Sequence, residues 1–424
     1  MKTYLNETLR NSKEYDWKEI KMIKKILRVT SIAIAIFVFI LIWMHIDVTL
    51  GRKMEAGKNM PTEYAPHYSD FQLYVEGKPF YKQLFTDIRE AKSSIYTYFF
   101  ILSDDKSSHT FLNLLKEKAK EGVNVYLSVD RINDLSFERK VINELRKSGV
   151  HFTYSRKPTL PFGFYSLHHR NHRRITTIDG EIGYTGGFNI GDEYLGKDKR
   201  FGYWRDYHVR LKGEGAKDLE QQFALDWKRD TKEEIKRSTN KASKGNTLHT
   251  MTSYNGHYVA EKYIELIKQA QHSIVIATPY FIAKNKESMN ALIAAQKRGV
   301  TVKILWSYKP DLPLIKEAAY PYIRQAVNNG ITVYGYKKGM FHGKLMLIDN
   351  ELTVIGTTNF TSRSFNINDE MNFYIYGGPI VGQVNKALTE DFHDSKEMTK
   401  EFFEKLSFWE RCKEKVAGLV DFYL

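Results

Sequence analysis

The longest unbroken apolar run lies near the N-terminus. From Val29 to Ile46 the chain reads VTSIAIAIFVFILIWMHI, with His45 its one ionisable residue. At about 1.5 Å per residue such a helix spans roughly 27 Å, enough for a hydrocarbon core. No small-residue cleavage site follows, so the pattern predicts a retained membrane-spanning helix over 29–46 rather than a signal peptide. It would sit between a basic tail (1–28) and a juxtamembrane linker (47–78). Residues 1–28 hold eight Lys or Arg and 47–66 hold three, which places the N-terminus on the cytoplasmic side. A first helix over Tyr15–Leu27 lying in the interface would weaken that count.

Beyond the linker the pattern occurs twice. Ala91–Ile101 (AKSSIYTYFFI) is repeated at Ala270–Ile282 (AQHSIVIATPYFI), a helix end followed by an apolar strand. Leu114–Leu127 matches Ala291–Leu305, and Leu145–Tyr154 matches Ala326–Tyr336. In each pair a helix stops at a glycine (Gly122 and Gly299, Gly149 and Gly330) before a strand rich in Val, Ile and Tyr. Each half therefore predicts an α/β sandwich with a mainly parallel sheet. The first lobe spans 79–232 and the second 256–424, joined by a polar linker at 233–255. Towards the C-terminus Phe402, Leu406, Trp409, Val416 and Leu419 recur at helical spacing. They predict a helix that docks on the core, with a membrane-surface role as second reading.

Composition narrows the chemistry. The chain is 42% hydrophobic and 27% charged, as ordinary globular chains are. The one cysteine, Cys412, excludes an intrachain disulfide and a cysteine-cluster metal site. With 64 Lys plus Arg against 50 Asp plus Glu the net charge is +14, pointing to an anionic partner: nucleic acid, lipid headgroup or phosphorylated substrate. The apolar run favours lipid.

Each half then delivers one spaced set. NHRRITTIDGEIGYTGGFN supplies His172, Arg174, Asp179, Gly186, Gly187 and Asn189; FHGKLMLIDNELTVIGTTN supplies His342, Lys344, Asp349, Gly356, Thr357 and Asn359. Histidine and cation, two apart, fall on one face of a strand. Asp179 and Asp349 have the opposite parity, which suits fixing the hairpin turn rather than reacting. Small residues at Gly187 and Thr357 let the returning backbone approach a phosphate, and Asn189 and Asn359 can donate amide hydrogens to it. A neutral imidazole attacks phosphorus, a protonated one serves the leaving oxygen, and the cations neutralise the charge that gathers. No metal or cofactor is needed. Either histidine can attack on this reading.

The paired motifs resemble those of the phospholipase D superfamily, and RNHRRITTIDGEIGYTGGFNIGDEYLG followed by FGYWRDYHVRLKG resembles its bacterial cardiolipin synthase branch. The resemblance covers the chain from about Phe80 onward, plus the anchor. It implies two duplicated lobes about a pseudo-twofold axis, and a catalytic set of His172, Arg174, Asp179, His342, Lys344 and Asp349. It also implies a phosphatidyl-histidine on His172, with His342 as acid and base. Asp206 (in WRDYHVRL) and Glu370 (in NDEMNFYIY) match positions that orient the imidazoles. Arg174 departs from the pattern, which has lysine there. Phosphatidylglycerol is the implied substrate, with cardiolipin and glycerol as products, at a bacterial cell membrane. Water as acceptor would instead make a phospholipase D. A membrane-anchored nuclease and a degenerate lipid-binding protein are further alternatives, and nucleic acid is not the expected partner.

One stretch is peculiar to the first lobe. Gly149 to His172 encloses 11 more residues than Gly330 to His342, and the excess includes PTLPFGFYSL. Phe162, Phe164 and Tyr165 in this loop are candidates for lipid contact, either wetting into the membrane or lining an acyl groove, with packing against the other lobe as an equal alternative.

Overall fold

The computed structural model describes residues 2–56, 60–132, 139–419 and 421, with side chains of the first helix from 20 to 55. The charge count on 1–28 therefore rests partly on side chains outside the described ones, as does Lys58. One helix, Lys2–Ala56, carries the apolar run without a break. Its Ile20–Glu55 portion is long and apolar enough to cross a membrane, and its apolar window is unburied.

The two lobes are α/β sandwiches with the same strand order. In the first, His151–Ser155, Asn124–Asp130 and Ser94–Phe99 are parallel; Ile175–Ile178, Ile182–Gly186, Tyr203–Gly213 and His67–Glu76 continue the sheet antiparallel. In the second the order is Thr332–Tyr336, Thr301–Ser307, Ser273–Thr278, then Leu345–Ile348, Leu352–Gly356, Asp369–Tyr376 and Thr247–Asn255. The sheets are thus mixed, not mainly parallel: the βαβ units make the parallel half and each motif hairpin makes the antiparallel half. The four helix-stopping glycines all take positive φ, between 82° and 94°.

Two stretches expected as linkers contain structure. His67–Glu76, inside 47–78, and Thr247–Asn255, inside 233–255, are the first strands of their lobes. They pair with each other antiparallel (His67 with His249, Ser69 with Thr247), so the two sheets are continuous across the pseudo-twofold axis. Their strand signal is weak because the joint is polar inside. Ser69, His249 and Ser253 are fully buried, and Ser69 Oγ lies 3.0 Å from His249 Nε2. These polar positions interrupt the apolar alternation that Phe71, Tyr74 and Met251 otherwise carry.

Helices cover both faces. Phe80, Leu84, Phe111 and Leu115 of Gly77–Glu90 and Lys106–Lys120, with their counterparts in the second lobe, form one core. Gly215–Thr231 and Pro379–His393 cover the other face, where Leu219, Phe223, Val384 and Leu388 share a core that spans both lobes.

The first-lobe insertion packs against the second lobe, through Tyr165 and Ile367, and also against the N-terminal helix, which no reading of the sequence anticipated. It forms the short helix Gly163–His168, which packs on the end of the N-terminal helix. Tyr165 is 4% exposed, and a Cβ on Gly51 would stand 2.5 Å from its ring. Asp47, the first residue past the apolar run, accepts a hydrogen bond from Tyr165 N at 2.7 Å. Arg52 donates to Asn366 Oδ1 at 2.9 Å. Tyr165 is therefore withdrawn from lipid, and Phe162 and Phe164 are half-buried against the same cluster. The loop secures the catalytic body at the point where the apolar run ends; Leu160, 86% exposed, and to a lesser degree Leu167 face outward.

The C-terminal stripe is also broken. Lys400–Glu404 and Phe408–Ala417 are separate helices, the second started by a capping box of Ser407 and Glu410. Phe403 and Leu406 reach the core, whereas Trp409, Val416 and Leu419 face outward.

Candidate active site

Each motif histidine lies in the irregular segment just before its strand, not on the strand itself, because its backbone bonds to the opposite lobe. His172 N donates to Asp369 O at 2.9 Å, and His342 N donates to Arg205 O at 2.7 Å. Those acceptors each precede a carboxylate residue, so the side chains meet as well. His172 Nδ1 lies 2.9 Å from Glu370 Oε1, and His342 Nδ1 lies 2.7 Å from Asp206 Oδ2. The orienting carboxylate of each histidine comes from the other lobe. Both carboxylates are fully buried.

The surroundings of the two carboxylates differ. Glu370 accepts hydrogen bonds from Thr357 Oγ1 (2.6 Å) and Ser364 Oγ (2.7 Å). Asp206 accepts from Tyr207 N at 2.8 Å and packs against Gly187, where a Cβ would fall 1.8 Å from Asp206 Oδ1. Thr357, the counterpart of Gly187, thus serves as a hydrogen-bond donor, while Gly187 serves as empty space.

The cations repeat one contact. Arg174 Nη1 donates to His172 O at 2.7 Å, and Lys344 Nζ donates to His342 O at 2.6 Å. Arg174 Nε also donates to Asn189 Oδ1 at 3.1 Å, and its guanidinium lies 5.4 Å from the Phe100 ring centroid. The larger arginine is held by partners that belong to the first lobe alone.

Burial and charge separate the titrations of the two halves. Burial, with Arg174 and Lys344 nearby, holds the His172 imidazole well below its ordinary range. Burial and Lys344 also lower His342, but there the Asp206 charge works the other way. Burial pushes Asp206 up, yet His342 and Lys344 outweigh it and keep the carboxyl below its usual value. Burial pushes Glu370 up to about 7, against the Thr357 and Ser364 donors. Lys344 is brought down to about 7 by burial, with Asp206 opposing. His172 is therefore neutral, and His342 has the firmer anionic partner.

The histidines open on a cavity of about 380 Å³ between the lobes, lined also by Arg174, Asn189, Asn359 and Arg363, and by Phe100, Tyr194, Trp204 and Tyr280. Phe162, Phe164 and Tyr165 are not among its walls; Phe162 and Tyr165 line a separate pocket beside the end of the N-terminal helix, with Met54 and Leu160.

Several expected residues lie elsewhere. Asp179 accepts from the backbone N–H groups of Lys92, Ser93 and Ser94, and Asp349 from those of Gln271, His272 and Ser273. Both have positive φ, at 55° and 52°. They fasten each motif hairpin to the start of the neighbouring strand and do not line the cavity, so they leave the catalytic set. Gly187 and Thr357 act on the carboxylates behind the histidines rather than on a phosphate. Asn189 donates its amide to Tyr194 Oη at 3.0 Å and braces Arg174.

Sequence reasoning missed the ionic lock beneath the site. Asp369 accepts from Arg156 Nη2 (2.6 Å) and Arg229 Nη1 (3.1 Å) and lies 2.8 Å from His169 Nε2. Arg173 is bound to Asp226 at 2.9 Å. Removing one member of such a buried network costs about 3–5 kcal/mol, so Asp369 holds the backbone that positions both His172 and Glu370. The available signal was the run RNHRR, more basic than a surface strand needs.

A family model described as "Cardiolipin synthase, PLD-like domain" matches residues 84–227 and 263–392. The minor cardiolipin synthase ClsB of Bacillus subtilis (strain 168) is 36% identical, over 94% of this chain and 100% of that protein. A cardiolipin synthase of Staphylococcus aureus (strain N315) is 34% identical, over 83% of this chain and 73% of its own. Among solved structures, the phosphatidylserine synthase of Haemophilus influenzae Rd KW20 superposes with a TM-score of 0.65. It covers 88% of this chain and 100% of its own at 16% identity, which speaks for the fold. With two matched segments, a cross-braced histidine pair and a whole-length relative, the chain belongs to the cardiolipin synthase family of phospholipase D-like proteins.

Proposed function

We propose that this protein is a cardiolipin synthase, transferring a phosphatidyl group from one phosphatidylglycerol to another and releasing glycerol. The observation that carries the assignment of roles is the unequal bracing of the histidines. His172, neutral, presents Nε2 to phosphorus. The P–O bond to the headgroup glycerol breaks, and His342, supported by ionised Asp206, gives its proton to the departing oxygen. A phosphatidyl-histidine remains. The hydroxyl of a second phosphatidylglycerol then loses its proton to His342 and attacks phosphorus, and the P–N bond breaks to release cardiolipin. Arg174 and Lys344, fixed by backbone carbonyls, face the non-bridging oxygens throughout. The Nδ1 contact to Glu370 leaves His172 Nε2 free for chemistry, whereas His342 Nε2 lies 3.1 Å from Lys344 Nζ, the cation that shares its phosphate.

The N-terminal helix anchors the protein in the bacterial cell membrane as a single pass. Asp47 and Val48 are buried on the catalytic body immediately after exposed Ile46, so the body stands at the bilayer surface. Leu160 is placed to enter the interface there, whereas Phe162 and Phe164 support it from behind.

Purified full-length protein with phosphatidylglycerol vesicles, followed by lipid chromatography, tests this reading. Cardiolipin and glycerol in equal amounts are expected. Phosphatidic acid as the main product would make the protein a hydrolase, and absence of turnover would make it a binding protein.

A further inference from the structure

The reacting cavity holds more hydrogen-bond acceptors than a phosphodiester can use. A phosphodiester brings oxygen acceptors alone, and Arg174, Arg363 and the histidines answer them. Yet Asn359 and Asn368, 7% and 4% exposed, both line the cavity with side-chain carbonyl oxygens that have no hydrogen-bond partner. Two carboxylates share the same walls, Glu193 from the first lobe and Asp311 from the second. Tyr280 donates its hydroxyl to Asp311. Among the described residues neither carboxylate has an ion-pair partner. Burial, and the Asp311 charge, raise the Glu193 carboxyl above its ordinary range against a hydrogen bond with Tyr194.

The buried Asn359 and Asn368 oxygens are costly without donors, and the half-buried carboxylates beside them keep acceptor capacity beyond their tyrosine donors, so a fitting ligand supplies hydrogens there. An ammonium would supply them, but Arg174 and Arg363 line the same cavity with positive charge. A neutral polyol supplies them without that repulsion. We propose that the Glu193–Asp311 wall, with Asn368, is a polyol subsite that holds the glycerol hydroxyls of phosphatidylglycerol. This rests on the transferase reading above and adds where acceptor choice is made. A lipid glycerol is selected over water or a simple alcohol because only it satisfies the wall.

The test is a competition on phosphatidylglycerol vesicles with added ethanol, which intercepts the covalent intermediate as phosphatidylethanol. The readout is the ratio of cardiolipin to phosphatidylethanol, which is independent of total rate. In Glu193→Gln and Asp311→Asn, each measured singly, that ratio is expected to fall about tenfold or more, because ethanol asks nothing of the wall. A ratio within about twofold of wild type in both folded variants overturns the subsite while leaving the synthase reading intact. Wild type forming phosphatidylethanol without cardiolipin overturns both. The unsubstituted protein gives a second readout that needs no variant to fold: free glycerol should suppress phosphatidylethanol formation far more strongly than equimolar propan-1-ol. Equal suppression by the two alcohols, or stronger suppression by ethanolamine than by glycerol, overturns the assignment.

Discussion

His172 and Glu370 are 198 residues apart in the chain and belong to different lobes, yet His172 Nδ1 stands 2.9 Å from Glu370 Oε1. Asp206 and His342 make the reciprocal contact at 2.7 Å. Neither lobe holds a complete histidine–carboxylate pair by itself. The duplication therefore builds one interdigitated site, and the pairing of glutamate with one histidine and aspartate with the other breaks its symmetry.

That asymmetry sets a pH dependence. The required state has His172 neutral and both His342 and Lys344 protonated. Lys344 loses its proton at about 7 and His342 below its ordinary value, so log kcat/KM should already be falling as pH rises towards neutrality and keep falling above it. The Asp206 anion raises both groups, so Asp206→Asn should shift this alkaline limb to lower pH. A pH–rate profile of the variant checks the sign; a limb that stays put or moves upward contradicts the assigned role.

Gly187→Ala probes the same carboxylate without touching it. The added Cβ would fall 1.8 Å from Asp206 Oδ1, so the carboxylate must leave His342. Activity should drop by about a hundredfold, and any residual activity should show the same shifted limb. A near-normal rate would show that Asp206 has room to adjust.

Arg174→Lys should cost less than about tenfold in kcat/KM, because Lys344 makes the equivalent carbonyl contact with an ammonium. Arg174→Ala should cost about a hundredfold or more. Steady-state kinetics of the pair decides whether charge or the Asn189-braced fork matters, since a severe loss on the lysine change would favour the fork.

Docking of the anchor is tested by Gly51→Val. Its Cβ would stand 2.5 Å from the Tyr165 ring, so the seam that buries Val48 and Tyr165 should open. Two such side chains contribute about 3–6 kcal/mol when buried, enough to release the helix end while the lobes stay folded. Vesicle turnover should fall with little change in the far-ultraviolet circular dichroism of the protein. Unchanged turnover would mean that the seam has no bearing on how lipid is presented.

Much of this was legible in the chain. The repeat gave two lobes, the spacing singled out His172 and His342, and parity already separated Asp179 and Asp349 from them. What stayed hidden depends on contacts across the axis. No local pattern says that Glu370 serves His172 rather than His342, because each pseudo-symmetric position looks alike in sequence. His67–Glu76 and Thr247–Asn255 passed for linkers because buried Ser69, His249 and Ser253 interrupt the apolar alternation of Phe71, Tyr74 and Met251. Tyr165 read as a lipid contact because the small surface of Gly51 that receives it lies 114 residues earlier, on the anchor.

The most direct measurement is alkaline detergent quench of the full-length protein during turnover on phosphatidylglycerol labelled in its phosphate, followed by peptide mapping at alkaline pH. The account predicts label on His172, loss of that label in His172→Ala, and accumulation of no cardiolipin by that variant. Label on His342, or cardiolipin formed by His172→Ala, would contradict it.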